Sequence, residues 1–196
     1  MDQFHKIYAR VISNLEKNLP SWLHYHSAAH TRHVLDQTIF IAGKEHVKGE
    51  DLFLLKLAAL YHDTGFMKSR EKHEEISCSI AHKELVNDGL EKEDVDKVCK
   101  MILATRIPQK PETKLENIIA DADLEYLGTP QFNAISNRLY KELLHYHPNM
   151  SREQWNEIQI DFISKHSYHT NYCKQNREPG KLANLEHIKK EVRKQS

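Results

Sequence analysis

The chain is poor in cysteine and lacks the short motifs of several enzyme classes. Each absence argues against a kind of structure or site. Its three cysteines, Cys78, Cys99 and Cys173, lie far apart without CxxC spacing, which argues against a disulfide framework and a zinc knuckle. A reducing, cytoplasmic setting fits this usage. The sequence also lacks a glycine-rich phosphate loop, a GxSxG elbow and a supported Cys/His pair. Phosphate binding would therefore have to come from other side chains or from a metal ion.

The chain also lacks a net charge and a long apolar segment. Its 28 basic and 28 acidic residues cancel, which gives no support to nucleic-acid binding, because that affinity rests on clustered lysine and arginine. The N-terminus lacks the apolar core of a signal peptide, and no apolar run reaches the length of a membrane helix. We therefore expect a cytoplasmic protein that binds neither nucleic acid nor a membrane. Exposed helix faces permit a homodimer without requiring one.

Apolar residues recur with helical spacing between the six glycines and six prolines. Phe4, Ile7, Val11 and Leu15 follow each other at steps of three and four, which predicts an amphipathic helix that ends before Pro20. The same spacing predicts further helices over residues 28–42, 51–62, 74–87, 91–104, 115–127, 131–145, 152–164 and 182 to the C-terminus. We predict an all-α protein, a single domain over residues 1–196 built as a bundle of about eight to ten helices.

Glycines mark several of the expected helix ends. Gly43 is expected near the end of the second helix, Gly65 is expected to stop the third, and Gly89 is expected to close the fourth. The segment 64–72 reads as a loop. Two prolines in the segment 106–111 deny it a helix, so we expect it to be extended.

The pair His62-Asp63 follows the apolar run at residues 52–61. An ionised carboxylate beside so apolar a stretch is costly unless it has a salt-bridge partner or binds a cation. Imidazole nitrogen and carboxylate oxygen together suit a divalent metal ion. Residues 25–34 contain three further histidines and residues 118–128 contain two further aspartates, which favours the cation.

In chain order these segments read YHxxxHTxxV, HD and DADLxxLG. This order resembles the H…HD…D signature of the HD-domain superfamily of metal-dependent phosphohydrolases. The resemblance covers residues 20–128, and it implies a helical core completed by the C-terminal helices. It also implies four metal ligands, His30, His62, Asp63 and Asp123.

Two of these ligands are chosen over neighbours by their context. His30 matches HTxxV, whereas His26 and His33 do not. Asp123 matches ADxL, whereas Asp121 would project from another face of a helix and serve as a hydrogen-bond acceptor or a helix N-terminal residue.

The resemblance implies that a divalent ion (Mn, Fe, Co, Ni, Zn or Mg) activates water to hydrolyse a phosphate mono- or diester of a nucleotide. Asp63 could orient that water as a general base. His26 is placed like the histidine that protonates the leaving oxygen in HD phosphodiesterases, and a solvated loop histidine is the alternative. A cyclic-nucleotide or other phosphodiesterase is therefore the second hypothesis. A di-iron oxygenase is more distant, and a non-catalytic nucleotide or metal sensor is the rival from another class.

Five residues are candidates for binding a small phosphoester substrate. His73 opens a segment resembling HExxS, where it would hold a second metal ion or contact phosphate. Lys68 and Arg70 precede it and could neutralise phosphate, unless they only form a solvated loop. Arg106 and Arg177 complete the set, and Arg177 lies in a segment that resembles the part of the family that closes over substrate.

Overall fold

The computed structural model describes residues 3–195, and helices make up most of this range. Ten α-helices lie within it: α1 (Gln3–Asn18), α2 (Ala28–Lys44), α3 (Gly49–Tyr61), α4 (His73–Asn87), α5 (Lys92–Leu103), α6 (Lys114–Leu124), α7 (Phe132–Tyr146), α8 (Arg152–Lys165), α9 (Asn171–Asn176) and α10 (Glu178–Gln195). Short 3-10 helices, Thr64–Met67 and Glu125–Gly128, follow α3 and α6. No strand occurs between residues 3 and 195, so the all-α prediction is confirmed. Over the same residues, every helix is too short or too polar to cross a bilayer.

Helix α3 is the centre of the main hydrophobic core. Leu54, Leu55 and Leu60 are almost fully buried, although they point to different sides of the helix. Helices α2, α5 and α6 pack around α3, which explains why its sequence is apolar on nearly all sides rather than amphipathic. His62 and Asp63 directly follow this buried helix and therefore lie in the interior.

A second apolar cluster joins the C-terminal helices to the end of α6. Its buried members are Tyr25, Leu124, Tyr126, Leu127, Phe132, Ile163, Leu185 and Ile188. Helices α7 and α10 therefore pack on the 3-10 turn that follows α6, and α8 packs on α10. Helix α6 contributes to both clusters, since Ile118 belongs to the main core and Leu124 to the second cluster.

The end of α2 differs from the prediction. Gly43 lies inside the helix, and His46, with a left-handed φ of 60°, ends it instead. The His46 amide donates to the Gly43 carbonyl and the Val47 amide donates to the Ala42 carbonyl, at 3.3 and 2.8 Å. This is the hydrogen-bond pattern of a Schellman motif, which histidine serves here in place of glycine. Gly89, with φ of 85°, closes α4 as predicted.

The expectation that Gly65 stops α3 is wrong. Helix α3 ends at Tyr61, and Gly65 lies within the following 3-10 helix. A Cβ atom at Gly65 would lie 2.0 Å from the backbone oxygen of His73. Glycine is therefore required because the turn after α3 packs directly on the start of α4, not because the helix must end there.

Two features near the C-terminus were not predicted. Helix α9 is only six residues long, too short for an apolar period to show. Helix α10 begins at Glu178 rather than at residue 182, because proline is tolerated in the first turn of a helix. Gly180 allows this first turn to approach Gly128, whose backbone oxygen would lie 2.2 Å from an added Cβ.

Gly65→Ala and Gly43→Ala should have opposite effects on stability. Gly65→Ala should lower the free energy of unfolding by about 3 kcal/mol, because the methyl group overlaps backbone atoms that cannot move aside. A Cβ at Gly43 would meet nothing within 4 Å, so Gly43→Ala should raise stability by up to about 1 kcal/mol. Urea denaturation followed by circular dichroism measures both changes. Equal effects of the two substitutions would contradict the contact assigned to Gly65.

Candidate metal centre and adjoining cavity

The four predicted ligands converge from three helices. His30 lies in the first turn of α2, His62 and Asp63 directly follow α3, and Asp123 lies near the end of α6. His30 Nε2 is 3.1 Å from Asp123 Oδ1 and 3.4 Å from Asp63 Oδ2. His62 Nε2 is 3.1 Å from Asp63 Oδ2 and 3.7 Å from Asp123 Oδ1. Ligand atoms about 2.1 Å from one ion lie roughly 3.0 to 3.4 Å apart. The spacings thus match those around a common centre, except that His62 and Asp123 are slightly farther apart.

Two further observations fit a divalent cation at this centre. Asp63 Oδ2 is buried and accepts no hydrogen bond from the described residues. The Nδ1 atom of His62 is 2.8 Å from the carbonyl oxygen of Ala59. Because a carbonyl only accepts, Nδ1 carries a proton, and Nε2 is the nitrogen that faces the centre and could bind a cation. The His30 and His62 nitrogens and an Asp123 oxygen thus lie within 4.8 Å of one another, and Asp63 Oδ2 lies beside the two histidines.

Charge within the cluster perturbs its acid–base equilibria. Burial alone would raise the pKa of Asp63, but the His62 imidazole outweighs it and lowers that pKa. The pKa of Asp123 is lowered in the same way, mainly by hydrogen bonds with His30 and His62. Burial opposes the charged form of His62, yet the two carboxylates raise its pKa well above the ordinary value. The carboxylates are therefore ionised, and a bound cation would replace the proton that they favour on His62.

Asp121 is directed away from this centre. It is fully buried and accepts hydrogen bonds from the backbone amides of His169 and Thr170, each at 2.8 Å. The Thr170 hydroxyl donates a third, at 2.6 Å. Asp121 is thus a hydrogen-bond acceptor, as predicted, but its donors belong to the chain just before α9 and not to the ligands. His33, one alternative to His30, faces Glu125 at 3.6 Å.

His26 is held beside the centre by Glu142, a residue that the sequence did not reveal. Glu142 lies on α7 and is 2% exposed. Its Oε1 is 2.5 Å from His26 Nδ1, and its Oε2 accepts hydrogen bonds from the amides of Tyr25 and His26 at 2.9 and 3.1 Å. The His26 ring stacks on Phe66 with centroids 4.0 Å apart. These contacts occupy Nδ1 and leave Nε2 as the nitrogen available to a ligand.

The environment of His26 favours its protonated form. Burial lowers the pKa of His26, but the hydrogen bond with Glu142 and the charges of Asp63, Glu142 and Asp123 raise it above the ordinary value. Burial would raise the pKa of Glu142, and the hydrogen bond with His26 lowers it instead. Both shifts describe an imidazolium paired with a carboxylate. Such a pair can supply a proton at neutral pH.

A cavity of about 310 Å³ opens beside the cluster. Its polar side includes His26, Asp63, Arg70, His73 and Asp123. Its opposite side is formed by side chains of α7 and α8, most of them apolar. The volume lies within the range of small-molecule sites.

Two of the five predicted substrate-binding residues line this cavity. His73 Nε2 is 3.6 Å from Asp63 Oδ1 and 3.5 Å from Glu74 Oε1. Arg70 is exposed, and its guanidinium lies 4.7 Å from the centre of the Tyr146 ring. Both side chains are positioned where a ligand in the cavity could contact them.

The other three do not belong to the cavity lining. Lys68 is exposed to solvent. The Arg106 guanidinium lies 2.6 Å from Glu75, and Arg177 pairs with buried Glu125. The structure thus gives Arg106 and Arg177 protein partners. Arg106 Nε is also 3.8 Å from Oε2 of Glu74, the carboxylate that faces His73, whereas Arg177 pairs away from the cavity lining.

Sequence reasoning missed the residues that support the site from a distance. Glu142 is separated from His26 by 116 residues, and nothing local distinguishes it from other charged residues of an amphipathic helix. Glu74 lines the cavity and is 7% exposed. It could have been considered, because it is the acidic residue of the same HExxS-like segment as His73.

Comparison with known proteins agrees with this geometry. The sequence model of the HD domain matches residues 28–125, a range that includes all four converging side chains. The chain therefore belongs to the HD-domain family, whose members are generally metal-dependent hydrolases. No curated protein shows significant sequence similarity to the chain.

Solved structures share the fold. Bacillus subtilis YpgQ matches with a TM-score of 0.69 and 18% identity, over 98% of this chain and 97% of YpgQ. The crystal structure of YpgQ in complex with ADP gives 0.66 and 19%, over 97% of each chain. A predicted HD superfamily hydrolase from an uncultured Thermotogales bacterium gives 0.64 and 17%, over 97% of this chain and 92% of that protein. At these identities the likeness establishes the fold alone.

Removing a ligand should abolish tight metal binding. We expect about one divalent ion per chain after reloading of chelator-treated protein, and His62→Ala or Asp123→Ala should weaken its affinity by more than about 100-fold. His33→Ala is the matched control, because that histidine lies one turn along α2 from His30 and faces Glu125. Competition with a chromogenic chelator measures the affinities. Unchanged affinity in both ligand variants, or an equal loss in the control, would contradict the assignment.

Proposed function

We propose that the protein is a metal-dependent phosphohydrolase that cleaves a phosphate mono- or diester of a nucleotide. The cluster of His30, His62 and Asp123, with Asp63 Oδ2 3.1 Å from His62 Nε2, carries this proposal. Asp63 and Asp123 of this cluster also line the cavity. A divalent ion bound there would polarise a phosphoryl oxygen and lower the pKa of water to near neutrality. A nucleotide is supported as the substrate by the fold shared with YpgQ, whose crystal structure was determined in complex with ADP.

The second oxygen of Asp63 is suited to orient the attacking water. Asp63 Oδ2 faces the two ligand histidines, whereas Oδ1 lies on the side of His73, at 3.6 Å from its Nε2. An ionised carboxylate with one oxygen toward the cavity can accept a proton from water as a general base. His73 and Arg70 line the same cavity and would contact the phosphate oxygens.

His26 is suited to protonate the leaving oxygen. Glu142 holds the imidazole through Nδ1 and favours its protonated form, so Nε2 can donate a proton into the cavity. This arrangement also supports the second hypothesis, a phosphodiesterase, because an alkoxide leaving group of a diester needs a proton.

Hydrolysis should require both the metal ion and Asp63. We expect release of phosphate or nucleoside from at least one member of a nucleotide and phosphoester panel with Mn²⁺, Co²⁺, Ni²⁺ or Mg²⁺. Asp63→Ala should lower kcat by more than about 1,000-fold. Asp96→Ala, on the exposed side of α5, should keep full activity.

Three outcomes of this panel would contradict the proposal. Full activity after chelation would exclude the mechanism, and so would full activity of the Asp63 variant. Tight nucleotide binding without turnover under all four metals would indicate a sensor instead.

His26→Gln should slow the reaction according to the leaving group. With an ordinary nucleotide substrate, kcat should fall by about 100-fold or more, the usual contribution of a general acid. A p-nitrophenyl ester leaves without a proton, so its turnover should fall far less. Glu142→Gln should show the same pattern in weaker form. An equal loss with both kinds of leaving group would indicate that His26 only supports the structure.

A further inference from the structure

The part of the cavity remote from the metal centre has apolar walls. Leu127 follows α6, Leu139 belongs to α7, and Phe162 and Ile163 belong to α8. Such walls bind a flat apolar surface well, and they offer nothing to a phosphate or a sugar hydroxyl. The phosphate therefore belongs at the polar side, and the organic part of a substrate would extend between α7 and α8.

This apolar region also contains an unpaired hydrogen-bond donor. Trp155 lines the cavity and is 4% exposed. Its indole Nε1 is buried and has no hydrogen-bond partner among the described residues. The ring is fixed by stacking on Tyr140, with centroids 5.9 Å apart. A buried N–H without an acceptor is costly. A ligand that supplies an acceptor would therefore gain binding free energy, and the fixed Trp155 ring would lose no conformational entropy in forming this bond.

Two more buried polar residues line the same region. The Ser136 hydroxyl donates to Gln159 Oε1, and Gln159 Nε2 donates to Asn156 Oδ1 at 3.2 Å. These bonds fix the amide and leave one N–H of Gln159 and the acceptor capacity of the Ser136 oxygen unused. Ser136 and Gln159 are 6% and 8% exposed. The region thus combines apolar walls with two free donors and one acceptor.

We propose that this region binds the heterocyclic base of a nucleotide, with Trp155 and Gln159 donating to acceptor atoms on the edge of the base. The proposal deepens the proposed function and rests on it, because the phosphate of the same molecule would lie at the metal centre. An alkyl chain would leave the Trp155 and Gln159 donors unpaired, and a sugar would leave the apolar walls uncovered. A heterocycle has apolar faces and a polar edge, which matches both observations. Trp155 and Gln159 are thereby specificity-determining residues rather than catalytic ones.

The first test compares two substrates in Trp155→Phe, which keeps an aromatic ring and removes the N–H. For the best nucleotide in the presence of Mn²⁺, kcat/KM should fall about tenfold, mostly through KM. The matching sugar phosphate without a base should be turned over unchanged. Trp22→Phe is the control, because Trp22 is 39% exposed and is not part of the cavity lining. Equal effects on both substrates, or no effect on the nucleotide, would overturn the proposal.

The second test does not depend on hydrolysis. The chain has two tryptophans, so the Trp22→Phe protein reports fluorescence from Trp155 alone. Titration with the common nucleosides should give a saturable change for at least one of them and none for ribose. If the protein shows this saturable change but hydrolyses no phosphoester, the base site is supported and the proposed activity is contradicted. No saturable change with any nucleoside or nucleotide, with or without Mn²⁺, would overturn the base site itself.

Discussion

Two carboxylates, buried Asp63 and half-buried Asp123, lie where an uncompensated charge would be costly to keep. The imidazoles of His30 and His62 compensate them, and a bound cation would do so more completely. The four side chains come from α2, from the end of α3 and from α6, and these helices also pack on one another in the main core. Packing of the apolar helix surfaces therefore also brings the four polar side chains together. A displacement of any of the three helices would leave a buried charge without its partner.

Several contacts behind the cluster keep this arrangement in place. The Ala59 carbonyl fixes the orientation of the His62 ring. Gly65 lets the turn after α3 approach the start of α4, which places His73 beside Asp63. Asp121, two residues before Asp123, fixes the chain that leads into α9. Helix α6 thus serves the metal centre on one side and the C-terminal region on the other.

The helices and the four converging side chains were accessible from the sequence because their signals are local. Helical spacing defined the elements, and three short motifs in a fixed order identified the side chains that now converge. Features that depend on distant contacts were not accessible. The role of Gly65 depends on its distance from His73, and the Glu142 partner of His26 comes from a helix more than a hundred residues away. The close approach of the first turn of α10 to Gly128 likewise involves residues far apart in the chain.

The four converging side chains and the apolar cavity wall of α7 and α8 come from separate stretches of sequence. The match to the HD domain ends at residue 125, after the last of the four converging side chains, whereas the cavity wall formed by α7 and α8 lies beyond it. Mutations in this later stretch can reshape the cavity wall while the donor atoms at its other end stay unchanged. Evolution could therefore exchange one substrate for another within the same scaffold by altering two helices. A family that shares one reaction centre can in this way diversify its substrates without having to rebuild its chemistry.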